Sequence, residues 1–144
     1  MKTRYMEAKS FPSKKSFVTI PPKTEEVTKI RLDAAFKVHS VLGSGLLESV
    51  YETCLMYELK SNNLKVENQI SLPVVYERIT VDSGLWLDLM VEKCVSVEIK
   101  AVENVIPLYQ SQLLTYMKLT KTRIGSLINF NTIHLRDGVK LLIN

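Results

Sequence analysis

Two carboxylates and an ammonium, Asp88, Glu98 and Lys100, lie on two apolar-alternating stretches whose spacing sends all three to one face of a sheet. In Leu85-Trp86-Leu87-Asp88-Leu89-Met90-Val91 the leucines and Val91 take one face, and Trp86, Asp88 and Met90 take the other. In Cys94-Val95-Ser96-Val97-Glu98-Ile99-Lys100 the branched residues share one face, which leaves Ser96, Glu98 and Lys100 together. A tight reversal around Glu92-Lys93-Cys94, centred on Lys93, pairs position 91 with 95, 89 with 97 and 88 with 98. Asp88 then faces Glu98.

Opposed carboxylates repel unless a cation lies between them. Mg²⁺ suits the position, because it takes one or two carboxylates plus waters and phosphate oxygens. Lys100, two residues along on the same face, would hold a water or stabilise charge building up on phosphorus. The set suits hydrolysis of a phosphodiester. Glu-x-Lys is nonetheless a common pattern in a charged chain. It occurs at Glu7/Lys9, in a polar N-terminal stretch, at Glu58/Lys60, in a helical one, and at Glu98/Lys100, on a strand. An exposed sheet face carrying an ordinary cross-strand ion pair has the same spacing, so spacing alone leaves both readings open.

The elements that must position these groups follow from the pattern on either side. Val27, Ile30, Ala34, Val38 and Val41 recur at helical intervals from about Glu25 to Leu42, and Gly43-Ser44-Gly45 stops that helix. A second helix is expected from about Leu46 to Ser61, closed by Asn62-Asn63. Leu64 to Glu77 reads as extended with a break at Pro73, and a turn near Asp82-Ser83-Gly84 leads into the two strands above. Pro107 suits the first turn of a third helix running to about Leu119, Arg123 to Phe130 is a strand, and Val139 to Ile143 reads as a last edge strand. The order is α, α, β, β, β, α, β, β.

At 144 residues the chain is long enough for one domain with its own core, and 46% apolar with 24% charged residues is ordinary for a globular protein. No apolar run approaches a membrane span, so no membrane association is expected. The net charge of +4 leans mildly toward polyanions. Cys54 and Cys94 form no CxxC or Cys/His cluster, which argues against structural zinc and for reduced thiols in a cytoplasmic setting. His39 and His134 have no partner at ligand spacing, and read as surface or hydrogen-bonded side chains. Residues 1–24 are rich in Lys, Pro, Ser and Thr and read as a flexible basic tail ahead of a domain over 25–144.

That element order, with a carboxylate on the second strand and Glu-x-Lys on the third, resembles the PD-(D/E)xK nuclease superfamily, whose core runs α-β-β-β-α-β. Gly45-Leu46-Leu47-Glu48-Ser49-Val50-Tyr51 fits the GxxExxY signature that names a family of small proteins assigned to it. Ala35 to His39, Val97 to Glu103, Gln112 to Tyr116 and Leu127 to Asn131 look like that family's other characteristic segments. The resemblance runs from about Glu25 to the C-terminus. It implies an α/β fold, a restriction-endonuclease-like central mixed sheet flanked by helices, with an extra N-terminal helix.

It also implies roles. Asp88 and Glu98 would bind Mg²⁺ or Mn²⁺, Glu48 would complete the metal site, and Lys100 would orient the attacking water. Gln112 and Tyr116 match a Gln-x-x-x-Tyr element near the active site of exonuclease-like members, and Tyr51 is placed near substrate with Tyr116. Leu87 stands where the superfamily pattern has proline. The expected partner is nucleic acid, DNA ahead of RNA, with a homodimer as one way for so small a domain to grip a duplex. Each residue has a structural alternative. Glu48 suits a helix first turn, the tyrosines suit a core with satisfied hydroxyls, and Gln112 suits a backbone contact. The rivals to a nuclease are an inactive nuclease-fold module that binds nucleic acid or protein, and a small-molecule hydrolase using the same face.

Overall fold

A computed structural model describes residues 20–144 and the backbone of residues 4–7. In chain order the elements are β1 (Arg4–Glu7), α1 (Pro22–Leu42), α2 (Glu48–Ser61), β2 (Val66–Ser71), β3 (Val74–Tyr76), β4 (Ile79–Val81), β5 (Trp86–Val91), β6 (Val95–Lys100), α3 (Pro107–Thr120), β7 (Ile124–Asn129) and β8 (Val139–Ile143). A 3-10 turn at Leu135–Gly138 leads into β8. The expected core is present as α2-β2-β5-β6-α3-β7, with α1 the added N-terminal helix.

Six strands form one mixed sheet in the order β1-β8-β7-β6-β5-β2. Only the β6–β7 pair is parallel, because α3 carries the chain across the sheet between them. One face packs under α1 and α2, where Ala35, Val38, Leu55 and Leu59 meet Val95, Val97, Ile99 and Ile128. The other packs under α3, where Leu113, Tyr116 and Met117 meet Leu127 and Leu142. Gly125 permits the close approach of α3, since a Cβ there would collide with the Met117 side chain. Among the described residues no helix is long and apolar enough to cross a membrane.

The β5–β6 register is the expected one, with Val91 opposite Val95 and Leu89 opposite Val97. The reversal runs through Glu92 and Lys93, both left-handed at φ 52° and 56°. That conformation is costly for non-glycine residues. It is held by hydrogen bonds from Cys94 N to Val91 O and from Glu92 N to Lys65 O, and by the Glu92 carboxylate accepting from Lys65 N at 2.7 Å.

The sequence expectations need correction in several places. β8 is not an edge strand, because β1 pairs antiparallel outside it, Arg4 opposite Ile143. Pro22, Lys23 and Thr24 belong to α1 rather than to the tail. The rest of the tail, apart from residues 4–7 and 20–21, lies outside the described residues. The extended stretch after Leu64 splits at Pro73, and β3 turns back on β4 as a separate two-stranded sheet. On α1 the apolar stripe drifts. Val41, expected on the apolar stripe, is 73% exposed, while Arg31 on the same helix is 1% exposed.

Candidate active site

The β5–β6 ladder stops at Leu89 and Val97, and just beyond it side chains take over from the backbone. Asp88 N–H donates to Glu98 Oε1 at 3.1 Å, and Ile99 N–H donates to Asp88 Oδ2 at 2.8 Å. Each acid thus spends one oxygen on the opposite strand and keeps the other, Asp88 Oδ1 and Glu98 Oε2, for other partners. Lys100 Nζ lies 3.9 Å from Glu98 Oε2 and 4.4 Å from the centre of the Tyr109 ring on the first turn of α3. The aromatic face and the carboxylate together hold the ammonium at the site.

Glu98 is 4% exposed, so this is not an ion pair on a solvated sheet face. Burial, then the negative charge of Asp88, pushes the Glu98 carboxyl from 4.5 up to about 8, against the pull of the Asp88 N–H and Lys100. The Tyr116 phenol, on α3, is pushed up to about 12 by burial and by the charges of Glu98 and Asp88.

A third acid approaches from α2. The Gln69 amide on β2 donates to Glu52 Oε1 at 2.6 Å and to Asp88 Oδ1 at 3.1 Å, tying helix and strand together. The Glu52 carboxyl is raised by desolvation and by the charges of Asp88 and Glu48, with Gln69 and Asn68 opposing the shift. Glu48, one turn earlier at the start of α2, is exposed. Its charge reaches Glu52, but among the described residues no three His, Cys, Asp or Glu side chains converge closely enough to hold an ion by themselves.

The remaining residues of the signature segment shape the loop. Gly45 has φ +99°, a conformation suited to glycine, and Tyr51 O–H donates to Gly43 O at 2.6 Å while accepting from Leu46 N at 3.2 Å. The Tyr51 ring is 0% exposed and stacks on Phe130 at 4.5 Å. Its expected place near substrate gives way to a role in pinning the α1–α2 connection, because the ring is sealed in the core and the hydroxyl is fully used. Gln112 is half-buried one turn before Tyr116 and makes no hydrogen bond to the acids. His39 Nε2 meets Thr132 O at 2.8 Å, in keeping with a hydrogen-bonded histidine rather than a ligand.

Sequence reasoning missed Gln69, Glu52, Tyr109 and Asn129. Asn129 lies beside Lys100 in the parallel register, and its side chain accepts from Val102 N and donates to Val102 O, fixing the chain just past Lys100. Gln69 depends on the β2–β5 pairing that places it opposite Asp88, which local sequence does not give. Glu52 lies one turn beyond Glu48 on the same helix, but no periodicity separates the two.

A mixed sheet between helix layers, with two acids and a lysine where its central strands part, defines the architecture of a nuclease-type α/β domain. Residues 25–142 match the PD-(D/E)XK nuclease superfamily, and the chain belongs to it. No curated protein and no solved structure matches the chain.

Proposed function

We propose that the protein is a metal-dependent nuclease that hydrolyses phosphodiester bonds of nucleic acid at Asp88, Glu98 and Lys100. The single observation that carries this reading is the Asp88–Glu98 pair, Glu98 buried and Asp88 half-buried, in which each acid gives one oxygen to the opposite strand and turns the other to a side chain, Asp88 Oδ1 to Gln69 and Glu98 Oε2 to Lys100. Burial first, and then the charge of Asp88, raises the Glu98 carboxyl and disfavours its ionised form. A hard divalent cation relieves the repulsion between the two acids and accepts both oxygens. With only two converging acids, Mg²⁺ or Mn²⁺ would complete its shell with water and substrate phosphate oxygens, the usual habit of such ions. When bound, the metal would supply Lewis acidity at the phosphate and an activated water.

The chain's own groups do the rest. Asp88 and Glu98 would hold the cation at the sheet. Lys100, held by Tyr109 and Glu98, orients the water for in-line attack. Tyr116 lies against the acids from α3, and Glu52, through Gln69, adds a carboxylate on the α2 side. Trp86, on β5 about 7 Å along the strand from Asp88 and on the same face, is 52% exposed and offers a stacking surface for a base. A stacking indole beside the acids favours nucleic acid over a small phosphoester. DNA is proposed ahead of RNA, and a homodimer remains part of the proposal.

The test incubates the purified full chain with single- and double-stranded DNA and RNA in Mg²⁺ or Mn²⁺, alongside Glu98→Gln and Lys100→Ala. Cleavage by the wild type, falling at least ~100-fold in both variants, is expected. Mn²⁺ calorimetry is expected to lose its signal in Glu98→Gln and to keep it in Lys100→Ala. Activity that survives both substitutions would sink the assignment, and absence of both cleavage and metal binding would favour the inactive binding module.

A further inference from the structure

Away from the acids, a cleft of about 530 Å³ opens where the start of α1, the end of α2, the start of β2 and the β5–β6 turn meet. Four lysines line it, Lys23, Lys60, Lys65 and Lys93, against Glu67 and Glu92. Glu92 is already committed. It pairs with Lys23 at 3.1 Å and accepts from Lys65 N at 2.7 Å, and those two contacts hold its carboxyl below the usual range. No ion pair within 4.0 Å joins Lys60, Lys65 or Lys93 to another described residue, so the cleft carries an excess of positive charge.

The cleft and the acid site share three elements. Glu52 and Lys60 lie on α2 eight residues apart, about 12 Å along a helix. Lys65 immediately precedes β2, which carries Gln69, and Glu92 immediately follows β5, which carries Asp88; each pair is four residues apart, about 13 Å along extended chain. The same offset on three neighbouring elements places the lysines on one side of the acids, while Trp86 lies on the other side along β5. An offset of about 12–13 Å corresponds to roughly four stacked nucleotides at 3.4 Å each.

We propose that this lysine cleft is a second phosphate-binding site, which takes the backbone of the nucleic-acid strand about four nucleotides from the bond at Asp88 and Glu98. The inference rests on the nuclease reading for its substrate. Lys60, Lys65 and Lys93 supply the ammonium groups, and Glu92 holds the turn and Lys23 in place. Flexible ammonium groups match phosphates without reading bases, so the site adds affinity and length preference but no sequence specificity.

The experiment measures binding of fluorescent single-stranded oligonucleotides of three and twelve nucleotides to the full chain, in EDTA, from 50 to 200 mM salt. The triple variant Lys60→Gln/Lys65→Gln/Lys93→Gln is compared with a control that neutralises three exposed lysines elsewhere, Lys29→Gln/Lys118→Gln/Lys121→Gln. The expected result is at least tenfold weaker binding of the twelve-mer by the cleft variant, with a salt slope shallower by about two. The three-mer should respond little and the control should match wild type. Equal losses in both variants, or an unchanged slope in the cleft variant, would overturn the proposal. Calorimetry with inorganic phosphate covers the other source of the same chemistry, since lysine-dependent phosphate binding without oligonucleotide binding would also overturn it. Cleavage assays run in parallel keep the two readings apart. Lysine-dependent binding without cleavage supports the cleft and removes the nuclease, and cleavage with unchanged binding does the reverse.

Discussion

Gln69 stands opposite Asp88 in the β2–β5 register, between the pairs Asn68–Leu89 and Ile70–Leu87, yet the two residues are joined through side chains rather than backbone. Gln69 is left-handed at φ 48°, which breaks the ladder at the point where Asp88 leaves β5 for Glu98 and Ile99. Backbone strain of this kind persists where surrounding contacts over-determine it, and here the contacts are to two acids.

Separating backbone from side chain at Gln69 is straightforward. Both Gln69→Ala and Gln69→Gly remove the amide, but only glycine relieves the left-handed conformation. Gln69→Gly is expected to be more stable than Gln69→Ala by about 1 kcal/mol in urea denaturation. Equal stabilities would show that the strand is not strained there.

The Glu98 carboxyl sets the direction of pH dependence. Its folded value of about 8 lies above the ordinary 4.5, so between those values the folded state binds more protons than the unfolded state. Stability is then greatest below about pH 4.5 as far as this group is concerned, and falls as pH rises through 8, by a few kcal/mol at most. In EDTA the wild type should lose stability between pH 5 and 8.5, and Glu98→Gln should flatten that fall. Parallel profiles for the two proteins would contradict the assignment of the raised value to Glu98.

Tyr51 is expected to matter for folding and not for the metal. Tyr51→Phe removes the donor to Gly43 O and the acceptor of Leu46 N, and should cost about 1–2 kcal/mol by thermal or urea unfolding. Its Mn²⁺ affinity should equal that of wild type by calorimetry. A selective loss of metal binding would return Tyr51 to the active site.

Arg31 offers the opposite sign. The residue is 1% exposed, its Nε and Nη1 have no hydrogen-bond partner among the described residues, and burial lowers its pKa from 12.5 to about 10. Replacing a buried unpaired charge by an apolar side chain of similar length removes a desolvation cost. Arg31→Met is expected to stabilise the fold by about 1–4 kcal/mol, measured as a rise in the urea midpoint at constant slope. A lower midpoint would mean that the guanidinium contributes an interaction that outweighs its burial.

Part of the site was legible because strand alternation and a short turn constrain geometry locally. The register of Val91 with Val95 and Leu89 with Val97 follows from a reversal centred on Lys93, but strict period two fails at Asp88, since Leu89 and Val91 pack under α1 and α2 while Leu87 packs with Met90 under α3. The helices were legible to within three residues at each end, since Gly43, Pro107 and the apolar spacing mark their limits. Contacts between distant segments were not. Gln69 meets Asp88 only because β2 folds back on β5, and Tyr109 meets Lys100 only because α3 crosses the sheet. Arg31 and Val41 exchange the environments their types suggest, because the position of α1 over the sheet, and not hydropathy, decides which side of the helix is covered.

By itself the sequence determined the three helices, the order of the core elements and the Val91–Val95 and Leu89–Val97 pairing of β5 with β6. All of these depend on local periodicity and turn closure. The tertiary structure decided how deeply Glu98 is buried, which acid of α2 is joined to Asp88 through Gln69, and that the Tyr51 hydroxyl bonds the α1–α2 loop. Those outcomes depend on packing between layers, where solvent exclusion turns a pair of carboxylates from a surface feature into a site.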